Sequence, residues 1–307
     1  MATPYLRLGA RGSPLALAQA GEARAGLTDA AGLDPSDVEI VVIRTSGDQV
    51  VDRPLSEAGG KGLFTKELDE ALIAGAIDFA VHSAKDLPTA LPGQLEIAGY
   101  LQREDARDAL ICAGGASFAA LPPAARFGSA SLRRRAMALR RRPDLRVELL
   151  RGNVETRLRK VTSGQLDATV LALAGLKRLG LAGRAAAILS ADEFLPAVGQ
   201  GAIALVARRG DSRVATALAP LLDEATGVAL AAERAFLGML DGSCRTPIGG
   251  HARLVDGRLL FRGLVLSPDG REAVETAFEG SPEAAEMLGA EAGREIRSRA
   301  LAIMAAA

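Results

Sequence analysis

Tryptophan is absent from this chain, aromatic residues make up 3% of it, and histidine occurs twice. Stacking platforms for single-stranded nucleic acid need aromatic faces, so that class of function is disfavoured at once. Cysteine is as scarce: Cys112 and Cys244 stand far apart, which makes no disulfide framework and reads as free thiols in a reducing compartment. Neither a Cys/His ligand spacing nor an HExxH pattern occurs, so no metal site is expected. No run approaches the roughly eighteen apolar residues of a spanning helix. The opening "MATPYLRLGARGSPLAL" has no apolar segment behind a charged start, so no signal peptide is expected. The expectation is a cytoplasmic protein with no membrane partner. Net charge is missing too, with 37 basic residues against 37 acidic, whereas a nucleic-acid binder is more often basic overall.

That neutrality hides an asymmetry. "SLRRRAMALRRRPDLRVELLRGNVETRLRK", residues 131–160, carries ten arginines and one lysine against Asp144, Glu148 and Glu155. The rest of the chain is acidic by the same margin, which marks a local anion site. With 307 residues, 49% of them apolar, the chain can bury a large core and suits two or three domains.

The first two-thirds alternate β-rich and amphipathic helical runs. "YLRLGA" (5–10), "VEIVVIRT" (38–45) and "IDFAVHSA" (77–84) read as strands, and "FTKELDEALIAG" (64–75) as a helix. A second block has strands in "ALICA", "RVELL" and "ATVLALA", with helices over 131–142, 153–163 and 174–180. This is α/β architecture with mostly parallel strands. The expected organisation is a first lobe over 1–104 and 196–219, a second over 105–195, and an α+β unit over 220–307. In the last, Asp256-Gly257 and Pro268-Asp269-Gly270 read as hairpin turns between β runs. The irregular "TSGDQVVDRPLSEAGGKG" (45–62) reads as a lid.

Several strand ends carry candidate chemistry. "VHSAKDLP" delivers Ser83, Lys85 and Asp86 where Pro88 stops the strand, and in open sheets such ends face the ligand crevice. A Lys beside an Asp also fits a plain solvated loop pair; the functional reading requires Asp86 to be a proton carrier in a partly desolvated, cation-lined site. His82 reads as packing or hydrogen-bonding beside the strand. "GSASLRRR" gathers Ser131 and Arg133, Arg134 and Arg135 at a helix start, and "LLRGNVETR" places Arg151 and Arg157 similarly, an arrangement suited to carboxylate or phosphate. "GLKRLG" adds Lys177 and Arg178, and "ARGSPLALAQ" adds Arg11 and Ser13. Arg140, Arg141 and Arg142 at a helix C-terminus read as a solvated face. Cys112, in an apolar run, reads as packing. Cys244, beside Arg245 in a polar loop, reads either as a buried thiol or as a nucleophile or attachment point. A two-lobed solute-binding protein and an RNA binder using 131–160 are the competing classes.

Taken together and in order, "RLGARGSPLAL", "VHSAKDLP", "GSASLRRR", "LRGNVETRL", "LAGLKRLGL", "LPAVGQGA" and "GSCRTPIG" resemble the porphobilinogen deaminase (hydroxymethylbilane synthase) family over nearly the whole chain. The resemblance implies two α/β lobes like those of type II periplasmic binding proteins, a small C-terminal α+β domain, and a transferase of tetrapyrrole and heme biosynthesis acting on porphobilinogen. It implies a dipyrromethane cofactor joined by a thioether to Cys244, with Lys85, Ser83, Ser129, Ser131, Arg133, Arg134, Arg157 and Asn153 around it. It implies Asp86 as catalytic carboxylate, and Arg11, Ser13, Gln19, Arg151, Arg157 and Arg178 as substrate contacts. Lys61 and Phe64 belong to its lid, and the family expectation is a monomer with no nucleic-acid partner. Guanidinium suits a growing polycarboxylate because it binds carboxylate bidentately. Two departures stand out: Ala130 lacks the hydroxyl often present in the serine-rich turn, so that contact is either absent or moved to Ser129, and Arg135 has no assigned role.

Overall fold

The computed structural model describes residues 5–49, 62, 64–114, 117–240 and 246–305. The first part of the chain forms β1 (Leu6–Arg11), α1 (Pro14–Ala31), β2 (Val38–Ile43), α2 (Ser46–Gln49), α3 (Lys66–Ile73), β3 (Phe79–Ser83) and β4 (Leu95–Tyr100). It then builds β5 (Asp108–Cys112), β6 (Arg126–Gly128), α4 (Leu132–Arg141), β7 (Arg146–Glu148), α5 (Val154–Thr162), β8 (Ala168–Ala172), α6 (Leu173–Arg178) and β9 (Ala187–Ile188). After β10 (Ile203–Arg208) and α7 (Ser212–Leu218) come α8 (Glu224–Met239), β11 (Ile248–Val255), β12 (Arg258–Leu266), β13 (Ala273–Gly280), α9 (Ala285–Arg299) and α10 (Leu301–Ala305).

Two five-stranded sheets result, ordered β2-β1-β3-β10-β4 and β7-β6-β8-β5-β9. In each, the strands run one way except for the one that follows a crossing of the chain between sheets. β10 is antiparallel to β3 and β4, and β5 to β8 and β9. The two α/β lobes repeat down to side chains. The Arg7 N–H donates to Asp78 and its guanidinium to the Gly75 carbonyl; Arg126 does the same with Asp167 and Gly164. Helix starts repeat as well. Ser13, Ser131 and Asn153 cap α1, α4 and α5, each side-chain oxygen accepting a backbone N–H of the first turn. Such caps satisfy donors that the helix cannot, and they bring these turns to the C-terminal ends of the strands.

The third unit is a three-stranded antiparallel sheet, β11-β12-β13, packed on α8 and α9. Asp256 and Gly257, with φ of 50° and 76°, make the two-residue turn between β11 and β12, the positive-φ pair a twisted hairpin favours. Its core runs without a break into the first lobe: Phe236, Phe261 and Leu288 cluster with Leu68, Leu72 and Ala80. On its other side, Leu264 and Leu266 join Phe127, Met137 and Phe194 of the second lobe.

Both crossings are pinned by buried charge. Glu233 of α8, fully buried, accepts from Arg103 on the outward crossing at 2.6 Å, from the Gly199 N–H on the return at 2.7 Å, and from the Ala252 N–H at 2.7 Å. The return segment "VGQG" then passes against the loop after β3. A Cβ on Gly199 (φ 74°) would sit 2.8 Å from the Lys85 backbone nitrogen, and one on Gly201 (φ 91°) 2.3 Å from the Glu104 carbonyl oxygen. Both glycines are therefore required by close approach as well as by their backbone angles.

Candidate active site

The first lobe supplies a pocket at the ends of β1 and β3. Arg11 closes β1 and lays its guanidinium over the Phe64 ring, 4.2 Å from the centroid. Gln19, buried on α1, donates from Nε2 to Ser83 Oγ at 2.9 Å. Arg11, Ser13, Gln19, Phe64, His82, Ser83 and Asp86 line a cavity of about 60 Å³. Beyond Ser83 the chain makes a single 3-10 turn, Ala84–Asp86, and this turn holds the Lys85 and Asp86 side chains out into the cleft.

The second lobe brings its basic residues to the same place. Lys85 reaches solvent but is ringed by protein, and its pKa is pushed down to about 8, first by that crowding and then by Arg134; Asp86 and Asp108 oppose the shift. Arg157 falls to about 10, again through crowding first, then through Arg134 and Arg151, with Asp86 opposing. Residues from separate strand ends of both lobes therefore share one electrostatic field. Positive charge exceeds what Asp86 can balance, so the cleft as built favours an anionic occupant.

The arginines are not equivalent. Arg133 is 4% exposed, with Nη2 on Asp108 at 2.7 Å and Nη1 on the Leu195 carbonyl at 2.6 Å. It is an internal pin, which differs from its expected place at the ligand. Arg134 shares Asp108, with Nη2 at 2.8 Å, and also reaches Gln200 Oε1 at 3.3 Å. Arg157 donates to the Gly152 carbonyl at 2.8 Å, which orients its guanidinium at the turn it caps. Arg178 bridges α6 to α1 through Glu22 at 2.7 Å and reaches the Gly201 carbonyl at 3.1 Å, while its neighbour Lys177 holds Glu104 at 2.6 Å. Both span the lobes instead of lying open.

Other expectations also resolve. Ser129 Oγ accepts the Ser131 N–H and donates to the Ser131 carbonyl, both at 3.1 Å, so both serines shape the turn before α4. Arg135 is exposed on α4. Arg142, expected on a solvated face, instead binds the Phe118, Leu121 and Pro122 carbonyls and Asp144, which ties the end of α4 to the segment before β6. Arg141 pairs with Glu193. Cys112 is half-buried, and burial pushes its thiol up. Cys244 and Lys61 lie outside the described residues, as does most of the expected lid. Asp108, Gln200, Glu22 and Glu233 are the partners that sequence reasoning missed; only "GQG" hinted at one of them.

Two family models match the chain: "Porphobilinogen deaminase, dipyromethane cofactor binding domain" over residues 6–216 and "Porphobilinogen deaminase, C-terminal domain" over 228–298. The porphobilinogen deaminases of Nitrobacter hamburgensis and Nitrobacter winogradskyi are each 58% identical over 293 residues, covering 95% of this chain and 93% of theirs. Among solved structures, the periplasmic aliphatic sulphonate binding protein SsuA from Escherichia coli aligns with a TM-score of 0.41 at 16% identity, over 79% of this chain and 72% of that one. With both parts of the family model matched and relatives of this identity end to end, the chain belongs to the porphobilinogen deaminase family.

Proposed function

We propose that Asp86 is the acid–base carboxylate of the cleft, and that Lys85, Arg134, Arg151 and Arg157 hold the carboxylates of the growing pyrrole chain around it. The activity is that of the family: four porphobilinogen molecules are condensed head-to-tail with loss of ammonia, and water then releases hydroxymethylbilane. Dipyrromethane is the cofactor and, when bound, supplies the pyrrole α-carbon to which the first substrate is joined. The observation carrying the residue assignment is the crowding of Lys85 with Arg134 and Arg133, and of Arg157 with Arg134 and Arg151, with Asp86 as the one acid drawn into both of their fields.

The donor set fits such a group, because each ring carries two carboxylates and the cleft offers guanidinium and ammonium in excess. Arg11 and Ser13 present the next set of donors to porphobilinogen, with Gln19 and Ser83 fixing the pocket wall. Loss of ammonia leaves positive charge on the substrate pyrrole. Asp86 stabilises that charge through the ring N–H and takes up the proton later released at the α-carbon. One acid among many bases is what this step requires, since the surroundings otherwise oppose a cation. Phe64, under the Arg11 guanidinium, forms part of the pocket wall. Asn153 and Ser131, already used as caps, hold their turns ready for the ligand.

The lobes are assigned to 1–104 with 196–219 and to 105–195, and the third domain to 220–307; the sheet membership of β10 and β5 supports these bounds. The protein works as a cytoplasmic monomer, without nucleic-acid or membrane partners. No single helix among the described residues is long and apolar enough to cross a membrane.

Cys244 is the attachment point, and intact mass tests this. Active protein should carry an excess equal to one dipyrromethane, and Cys244→Ser should lose both the excess and the activity; an active preparation with no adduct overturns the assignment. Lys85 gives a second test. Its positive charge is fully present well below pH 8 and is lost as pH rises through about 8. Loading of apoprotein, followed by mass, should therefore decline above that pH, and Lys85→Arg should flatten the decline. A wild-type profile flat to pH 10 would remove Lys85 from the carboxylate contacts.

A further inference from the structure

His82 is 4% exposed, and its Nε2 is shielded from water with no hydrogen-bond partner in the protein. Buried polar atoms are nearly always paired, so an orphan nitrogen in a native site points to a ligand or a bound water. The residue borders the substrate pocket: His82 lines the cavity shared with Arg11, Ser13, Gln19, Phe64, Ser83 and Asp86. The sheet explains the placement. β1 and β3 are parallel, with Leu8 opposite Phe79 and Gly9 opposite Ala80, and the same register carried two residues on sets Arg11 beside His82 at the strand ends. Burial, and then Arg11, push the imidazole down to about 4, so it is neutral at pH 7 and has one N–H to give.

We propose that His82 is a further substrate-positioning residue, whose imidazole N–H donates a second hydrogen bond to the porphobilinogen carboxylate held by Arg11. The inference rests on the function proposed above and adds a contact to its pocket. Charge selects the partner. An ammonium group next to Arg11 would be repelled, while a carboxylate there is attracted by the guanidinium and can accept from the imidazole with its other lone pairs. The same chemistry exists on the cofactor, whose carboxylates the geometry assigns to Lys85, Arg134 and Arg157; the incoming substrate is the source at Arg11.

Two substitutions separate this role from packing. His82→Leu removes a buried orphan and keeps the volume apolar, so thermal stability should hold or rise. The KM for porphobilinogen should rise about 10- to 100-fold, the value of a hydrogen bond to a charged group, with kcat within about threefold. His82→Gln, whose amide N–H reaches about where Nε2 lies, should recover most of the loss. A pyrrole bearing the acetate and propionate but no aminomethyl group should bind holoprotein with the same loss and recovery by calorimetry, and the dipyrromethane adduct should be unchanged by mass. Wild-type KM and affinity in His82→Leu would overturn the proposal. So would a weakened His82→Leu that His82→Gln does not restore, and so would a fall in adduct, which would move the contact to the cofactor. Wild-type holoprotein that neither consumes porphobilinogen nor binds the pyrrole would instead overturn the function itself.

Discussion

Asp86→Asn is expected to fold, load cofactor and lose about 10²–10⁴-fold in turnover, the usual contribution of a positioned acid–base group. The side chain is exposed at the end of a 3-10 turn and buries nothing. An isosteric amide there should change stability by no more than about 0.5 kcal/mol, so lost turnover cannot be blamed on unfolding. A second consequence is electrostatic. Asp86 now raises the pKa of both Lys85 and Arg157 against the crowding that lowers them. Removing its charge should bring Lys85 below about 8, and the alkaline fall in cofactor loading should move to lower pH in the variant. Single-turnover consumption of porphobilinogen by mass-verified holoprotein decides the first point, and loading against pH the second. Near-wild-type turnover would take Asp86 out of the mechanism, whatever the loading shows.

Much of this cleft is readable from the string because it is built from local rules. Ser13, Ser131 and Asn153 stand where a capping residue precedes an amphipathic run, and each caps a helix. Lys85 and Asp86 follow a strand as expected, but it ends at Ser83 in a 3-10 turn, and Pro88 constrains only Leu87, which is extended. What sequence cannot separate is charge that is buried from charge that is solvated. In "REDARD", 103–108, Arg107 and Asp105 form a local pair at the surface, while Arg103 and Asp108 anchor the two buried hubs. Nothing in their order or spacing distinguishes them, because the partners, Glu233 and Gln200, come from far along the chain. The run of arginines misleads for the same reason: Arg133 and Arg142 look like their neighbours yet are spent on holding the lobe together. Short strands such as β6, three residues long, and the glycine-interrupted β4 also escape a periodicity argument, since neither offers enough alternating positions.

Asp108→Asn tests how far the site depends on these hidden partners. Asp108 is fully buried, and both its oxygens are occupied: Oδ2 by Arg133 Nη2 at 2.7 Å, and Oδ1 by Arg134 Nη2 at 2.8 Å and Gln200 Nε2 at 2.9 Å. Burial opposes its charge, but Arg133 and Arg134 outweigh that and hold the carboxyl well below the usual range. The amide would leave two buried guanidiniums without a counter-charge, and Arg133 Nε already lacks a partner. Breaking a buried pair in this way costs about 3–5 kcal/mol, or roughly 6–20 °C in melting temperature for a domain of this size. The carboxyl is depressed in the folded state, so its contribution is full above about pH 4 and is lost as pH falls below that value. The gap between wild type and variant should therefore be widest near neutrality and narrow toward pH 3. Arg133→Met in the Asp108→Asn background should recover part of the loss, because it removes one stranded charge and fills its volume. Cofactor loading should stay low even at temperatures where the variant is folded, since Arg134 would then lack the anchors that aim it into the cleft. A variant that melts with the wild type would show that Asp108 contributes nothing net. One that melts early but loads normally would confine it to the architecture and leave Arg134 positioned by other means.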